Sequence, residues 1–144
     1  MPGYDHMGRL IRPRQRKANA VAEIDVPANA LPGGHYAHAT TGAGLVFVSG
    51  QLPIDPQGRR LTGAPFADQA QCAISNLLAA LAAAGSGPDR LLKVNVYIVD
   101  IGHWPEFDRI YAGHLGRHRP ARAVIPVPEL HHGFLIEIDG IAAL

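Results

Sequence analysis

Arg122 and Glu137 each sit in the middle of an apolar, strand-like stretch. Arg122 lies in Pro120-Ala-Arg-Ala-Val-Ile-Pro-Val127 and Glu137 in Phe134-Leu-Ile-Glu-Ile-Asp-Gly-Ile-Ala142. Strand residues alternate faces, so Arg122 shares a side with Val124 and Pro126, and Glu137 shares one with Leu135, Asp139 and Ile141. Burying either charge inside a sheet costs several kcal/mol unless another group pairs with it. Two readings meet that requirement. In one, the charges form structural ion pairs or lie on strand faces that reach solvent. In the other they build a small site for an anionic substrate, in which Arg122 forks onto a carboxylate through two parallel hydrogen bonds and Glu137 handles a water. A lysine lacks the planar geometry for that fork.

Other reactive residue types form weaker constellations. Of the eight histidines, His114 and His118 have helical i, i+4 spacing, but no glutamate completes an H-E-x-x-H pattern. His131 and His132 are adjacent in a loop, where both cannot easily reach one ion, so no metal site is expected. Ser49-Gly50-Gln51 lacks the length and the lysine of a phosphate loop, and no G-x-S-x-G elbow surrounds Ser49. Ser49 therefore reads as a hydrogen-bond donor lining a pocket or as a strand-end cap. Cys72 is the single cysteine; it lies in the apolar part of an expected helix and reads as a small buried hydrophobe. Alone it can form neither an intrachain disulfide nor a thiolate metal cluster.

The 144 residues are 47% hydrophobic and 17% charged, which suits one domain with its own core. No apolar run is long enough to span a membrane and no basic-then-apolar signal opens the chain, so a soluble, cytoplasmic protein is expected. The net charge is only +1, but Arg9, Arg12, Arg14, Arg16 and Lys17 against Asp5 put +4 on the first seventeen residues and leave −3 on the rest. Such an arm can touch nucleic acid or an acidic surface, and reads first as a solvated terminus. Residues 1–19 are accordingly assigned to a basic, weakly ordered extension and 20–144 to a single domain.

The elements that must position the charges follow from periodicity. Ala20 to Ile24, His35 to Thr40 and Leu45 to Ser49 read as strands, separated by Pro27, Pro32, Gly33 and Gly34 and then by Gly42 and Gly44. Pro53 to Gly58 reads as a turn-rich loop. From about Pro65 to Ala84, Phe66, Ala70, Ala73, Ile74, Leu77, Leu78 and Leu81 recur at helical spacing, with Asp68, Gln69, Gln71 and Asn76 as polar positions and Gly85 as the stop. Leu91 to Val99 alternates Leu92, Val94, Val96 and Ile98 against Lys93, Asn95 and Tyr97, a half-buried strand. A second helix runs from near Pro105 to near Gly116, with Trp104, Phe107, Ile110, Tyr111 and Leu115 on its inner side. The order β-β-β-α-β-α-β-β predicts an α+β sheet with its helices on one face. The uncovered face must meet water or another subunit, and the residues alone suggest that the last two strands form a hairpin.

Several separated segments together resemble the RidA/YjgF reactive intermediate deaminase family: Val46-Phe-Val-Ser-Gly-Gln-Leu-Pro-Ile-Asp55, the helix carrying Gln69, Gln71 and Asn76, Leu92-Lys-Val-Asn-Val-Tyr97, Phe107 to Tyr111, Pro120-Ala-Arg122 and Ile136-Glu-Ile-Asp-Gly-Ile-Ala142. The likeness runs from about Gly33 to Ala142. It implies a chorismate-mutase-like subunit with a mixed sheet of about six strands and two helices on one face, assembled as a homotrimer with ligand clefts between subunits. It also implies that the last strand lies inside the sheet, and not in a hairpin.

The resemblance further implies site roles. Arg122 would hold a substrate carboxylate and Glu137 would position the attacking water, while Tyr36, Ser49, Gly50 and the backbone of Val124 border the cleft. The implied reaction is hydrolytic deamination of enamine or imine carboxylates of the 2-aminoacrylate type to 2-oxo acids and ammonia, with no cofactor and no metal. Many deaminases of the family have Asn where this chain has Asp108, and Cys where it has Val124. If Asp108 faces the cleft its charge would repel an anionic substrate and signal a different one; its place on the second helix equally allows a surface role. Two alternatives stay open, a noncatalytic carboxylate-binding or regulatory trimer, and an RNA-binding or endoribonuclease-like protein. The body offers no basic stripe interleaved with aromatics, so a nucleic-acid partner is not expected, nor is a membrane.

Overall fold

Strand alternation and helical spacing resolve into β1 (Ala22–Ile24), β2 (Ala39–Gly42), β3 (Leu45–Gln51), α1 (Phe66–Ala83), β4 (Leu91–Ile98), α2 (Trp104–Leu115), β5 (Ala121–Pro126) and β6 (Ile136–Ala143). The structure is a computed structural model that describes residues 6–8 and 20–144, so the basic arm from Arg9 to Lys17 lies outside the described residues. The six strands form one mixed sheet in the order β1-β2-β3-β6-β4-β5. Only β4 and β5 run parallel; β6 is antiparallel to both β3 and β4. The hairpin suggested by the terminal residues does not form, because β6 enters the middle of the sheet while β5 stays at its edge.

The helices cover one face, and alternation decides what they bury. Val94, Val96 and Ile98 on β4 and Ile136 and Ile138 on β6 are fully buried with Ile74, Leu77 and Leu81 of α1 and Phe107 of α2. Leu92 was expected with that inward set but is 50% exposed, because the β4–β6 register shifts between Leu91 and Lys93 and gives the buried position to Leu91. Pro65 is the N-cap of α1, one position ahead of the helix. At the other end Gly85 takes φ +83, and Ser86 and Gly85 donate back to the carbonyls of Leu81 and Ala82 at 2.9 and 3.0 Å, a Schellman stop.

The expected strand His35 to Thr40 begins only at Ala39, for a polar reason. His38 Nε2 donates to the Ala30 carbonyl at 2.6 Å while its Nδ1 accepts from Gln51 Nε2 at 3.2 Å, which holds the preceding segment as a loop on β3. Gln51 Oε1 in turn accepts from Asn29 Nδ2 at 3.2 Å, and Asn29 Nδ2 also reaches the Asn76 carbonyl at 3.0 Å. Two of the polar positions of α1 are buried. Gln69 bridges the Ala64 carbonyl at 3.0 Å and the Leu135 N–H at 2.9 Å, and Asn76 Nδ2 donates to the carbonyls of Leu52 and Ile54 at 3.0 and 2.9 Å. They replace the backbone partners that an irregular segment lacks.

Asn76→Ala leaves both part-buried carbonyls without their partner and should cost about 1 to 3 kcal/mol. The check is a urea titration at fixed protein concentration, with a lower midpoint at unchanged slope expected; an unchanged midpoint would mean that water substitutes for the amide.

Candidate active site

Arg122 is placed by its register with β4. It lies opposite Val94, and paired residues of parallel strands point the same way, so its side chain goes to the helix face. There it meets α2. Its guanidinium carbon sits 4.9 Å from the ring centre of Tyr111, 5.6 Å from Phe107 and 5.8 Å from Trp104. Nη1 donates to Asp108 Oδ1 at 2.9 Å, with the Arg122 side chain 20% and the Asp108 side chain 42% exposed. Trp104, expected inside, is 40% exposed and forms the outer wall of this aromatic cage. Burial pushes the Tyr111 phenol up to about 12, opposed by Arg122 and reinforced by Asp108, and its hydroxyl has no hydrogen-bond partner among the described residues.

Glu137 is placed by the opposite parity. Ile136 and Ile138 on either side of it are fully buried toward the helices, so Glu137 projects from the uncovered face, opposite Tyr97 of β4. The β3–β6 register shifts between Val48 and Gln51, and the irregularity brings Gly50 under the carboxylate. A Cβ at Gly50 would lie 2.1 Å from Glu137 Oε1, so only glycine leaves this berth open. Burial raises the Glu137 pKa above its ordinary 4.5, Asp139 adds to the rise, and His131 opposes it. The neighbouring Asp139 accepts from Asn95 Nδ2 at 3.0 Å and from the Tyr97 hydroxyl at 3.2 Å, whereas Glu137 has no hydrogen-bond partner among the described residues. One carboxylate is structural and the other is unspent.

The remaining candidates divide between these surroundings. Val124 is half-buried and shares its side with Arg122, opposite Val96. Ser49 lies in the shifted stretch beside Gly50, and its hydroxyl donates to the Ala37 carbonyl at 2.7 Å, so it fastens the segment that carries Tyr36. Tyr36 is 49% exposed and its hydroxyl accepts from the Gly33 N–H at 3.3 Å. It also rims an open cavity of about 480 Å³ beside β1, which neither Arg122 nor Glu137 lines. Within one chain, then, Arg122, Asp108 and Val124 stand on one face of the sheet and Glu137 on the other.

The histidines stay apart. His114 pairs with Gln71, and His118 Nε2 donates to the Leu91 carbonyl at 2.7 Å. No group of three His, Cys, Asp or Glu able to hold a metal occurs among the described residues. Cys72 is half-buried, less than expected, and burial raises its thiol pKa. The role of Asp108 as the partner of Arg122 was not foreseen. Its only sequence signal is its place among Trp104, Phe107 and Tyr111 on the helix that a strand-borne arginine must face.

The sequence model of the family described as Endoribonuclease L-PSP matches residues 27–144. The chain belongs to this family, which includes RidA and YjgF. Among curated members, protein HMF1 of Saccharomyces cerevisiae is 39% identical over 108 residues, covering 75% of this chain and 83% of the relative. Two solved members superpose closely. Escherichia coli TdcF with bound serine has 28% identity and a TM-score of 0.80, covering 85% of this chain and 98% of that one. RidA from an Antarctic Psychrobacter has 27% identity and a TM-score of 0.81, covering 85% and 99%. The six-stranded sheet with two helices is thus the RidA/YjgF fold. No helix among the described residues of this L-PSP family member is long and apolar enough to cross a membrane.

Gly50→Ala should leave the L-PSP fold intact and push the Glu137 carboxylate out of its berth toward solvent. Its pKa, read by carboxyl-carbon NMR titration, should then fall back toward the ordinary 4.5; an unmoved titration would show that the contact does not confine Glu137.

Proposed function

We propose that this L-PSP family protein hydrolyses reactive 2-imino and 2-enamino carboxylates to 2-oxo acids and ammonia, in sites formed between subunits of a homotrimer. The observation that carries the reading is the pair of groups left ready for a ligand. Arg122 uses one nitrogen on Asp108 and keeps its other N–H groups available, and Glu137 holds a half-buried carboxyl with a raised pKa and no hydrogen-bond partner among the described residues. The serine bound to the TdcF relative supports a small carboxylate as ligand.

The opposite-face placement supports the trimer. Phe47 and Ile125 are 43% and 37% exposed on the sheet surface that the helices leave bare, where a second copy would cover them. A neighbouring copy could then bring its Glu137 to this chain's Arg122, which a single chain does not do. An enamine becomes the same C=N species once a proton from solvent adds to its terminal carbon, and the reacting C=N carbon would lie between the two residues. Arg122 holds the substrate carboxylate through the free edge of its guanidinium. Glu137 takes a proton from a water as the water oxygen bonds to the imine carbon, giving a carbinolamine. The proton passes to nitrogen, the C–N bond breaks, and ammonia leaves with the carbonyl formed. Imines hydrolyse slowly without help, so positioning plus one base supplies what is needed.

The test couples a serine dehydratase, serine and semicarbazide, and follows semicarbazone formation. Wild-type protein should suppress it; Arg122→Ala should lose nearly all suppression, with Arg122→Lys recovering little, and Glu137→Gln should lower turnover while keeping ligand binding. Mixing refolded Arg122→Ala and Glu137→Gln subunits should restore about a quarter of wild-type activity, since a random trimer gives one site in four both intact residues. Near wild-type turnover by Arg122→Ala would overturn the reading, and no restoration in verified mixed trimers would overturn the shared site. Because Glu137 must be ionised to accept a proton and its pKa is raised, turnover should fall on acidification at a higher pH than an ordinary glutamate would give, and Glu137→Gln should abolish that limb.

A further inference from the structure

The Arg122–Asp108 pair sets which carboxylates the site prefers, an inference that rests on the reading of Arg122 as a carboxylate clamp. The guanidinium is hemmed by the rings of Trp104, Phe107 and Tyr111, so a ligand reaches it along its edge. Part of that edge is taken. Nη1 already donates to Asp108 Oδ1 at 2.9 Å, and no other hydrogen bond to either side chain exists among the described residues. With 42% of its side chain exposed, Asp108 stays open to solvent while bonded to the guanidinium, so an approaching ligand meets both charges. The ligand therefore meets a neutral pair of fixed opposite charges and not a bare cation.

That arrangement discriminates. A carboxylate landing on Nε and Nη2 comes close to the Asp108 carboxylate, and the two negative charges repel. A ligand with a positive nitrogen on the carbon next to its carboxylate cancels the repulsion, because its two charges oppose the two of the site. We propose that Asp108 is a specificity-determining residue that selects zwitterions, namely iminium carboxylates and their α-amino acid counterparts, over simple 2-oxo acids. The consequence reaches turnover. The cationic iminium is the electrophilic form of the substrate, and hydrolysis removes its nitrogen as ammonia. What remains is a plain anion beside Asp108, so the same carboxylate that accepts the substrate helps expel the product. An asparagine there would keep the bond to Arg122 through its amide oxygen but lose the discrimination.

The probes are L-alanine and pyruvate, which match in size and differ in bearing an α-ammonium or an α-oxo group. Dissociation constants are measured by ligand-observed NMR on the full chain as wild type, Asp108→Asn and Arg122→Ala. Wild type should prefer alanine. Asp108→Asn, isosteric and checked for fold by circular dichroism, should tighten pyruvate roughly tenfold, weaken alanine, and so reverse the preference. An unchanged ratio of the two dissociation constants in Asp108→Asn overturns the role of Asp108 while leaving the clamp standing, provided Arg122→Ala loses both ligands. Binding of both ligands by Arg122→Ala at wild-type strength overturns the clamp and the inference with it.

Discussion

A strand can send a side chain to only one of its two faces, and that parity governs this molecule. Ile136 and Ile138 fill the core between the sheet and the helices, which forces Glu137 and Asp139 to the bare face. On β5 the same rule commits Arg122 to the helix side, because it stands in register with buried Val94. No rotamer carries either charge across the sheet. Core packing and site composition are therefore one constraint. A one-residue slip of β6 would expose the isoleucines and bury both carboxylates, so the register that stabilises the fold also holds Glu137 where it is.

Three acidic side chains show how surroundings divide the labour. Asp108 meets a guanidinium and is neutralised in place. Asp139 is satisfied by an amide and a phenol and belongs to the architecture. Glu137, partly desolvated over a glycine and next to another carboxylate, is the one whose charged form is penalised. Type alone does not distinguish them; desolvation, opposite charge and hydrogen bonding do.

Much of this was legible in the residues. The span of α1 between Pro65 and Gly85, the alternation of Val94, Val96 and Ile98, and the inward set Phe107, Ile110, Tyr111 and Leu115 follow from local periodicity, which needs no knowledge of neighbours. What was illegible depends on remote partners. Gln69 and Asn76 are buried because the backbone at Leu135, Leu52 and Ile54 requires them. His38 leaves the strand register because Ala30 and Gln51 claim its ring. Parity within β5 and within β6 could be read separately, yet the relative facing of Arg122 and Glu137 required the strand pairing, of which the family resemblance implied only that the last strand lies inside the sheet. For Asp108 the resemblance flagged the position, and only the packing of β5 on α2 showed its partner.

The central place of β6 has a consequence for synthesis. It joins β1-β2-β3 on one side to β4-β5 on the other, and its residues 136–143 are made after all of theirs. Until they leave the ribosome, the nascent chain holds two sheet fragments whose facing edges have no partner. Such edges pair readily with those of other chains, most of all between neighbouring ribosomes on one message. Completion of the sheet is thus a late, long-range event, and the nascent chain depends until then on its surroundings to keep those edges apart.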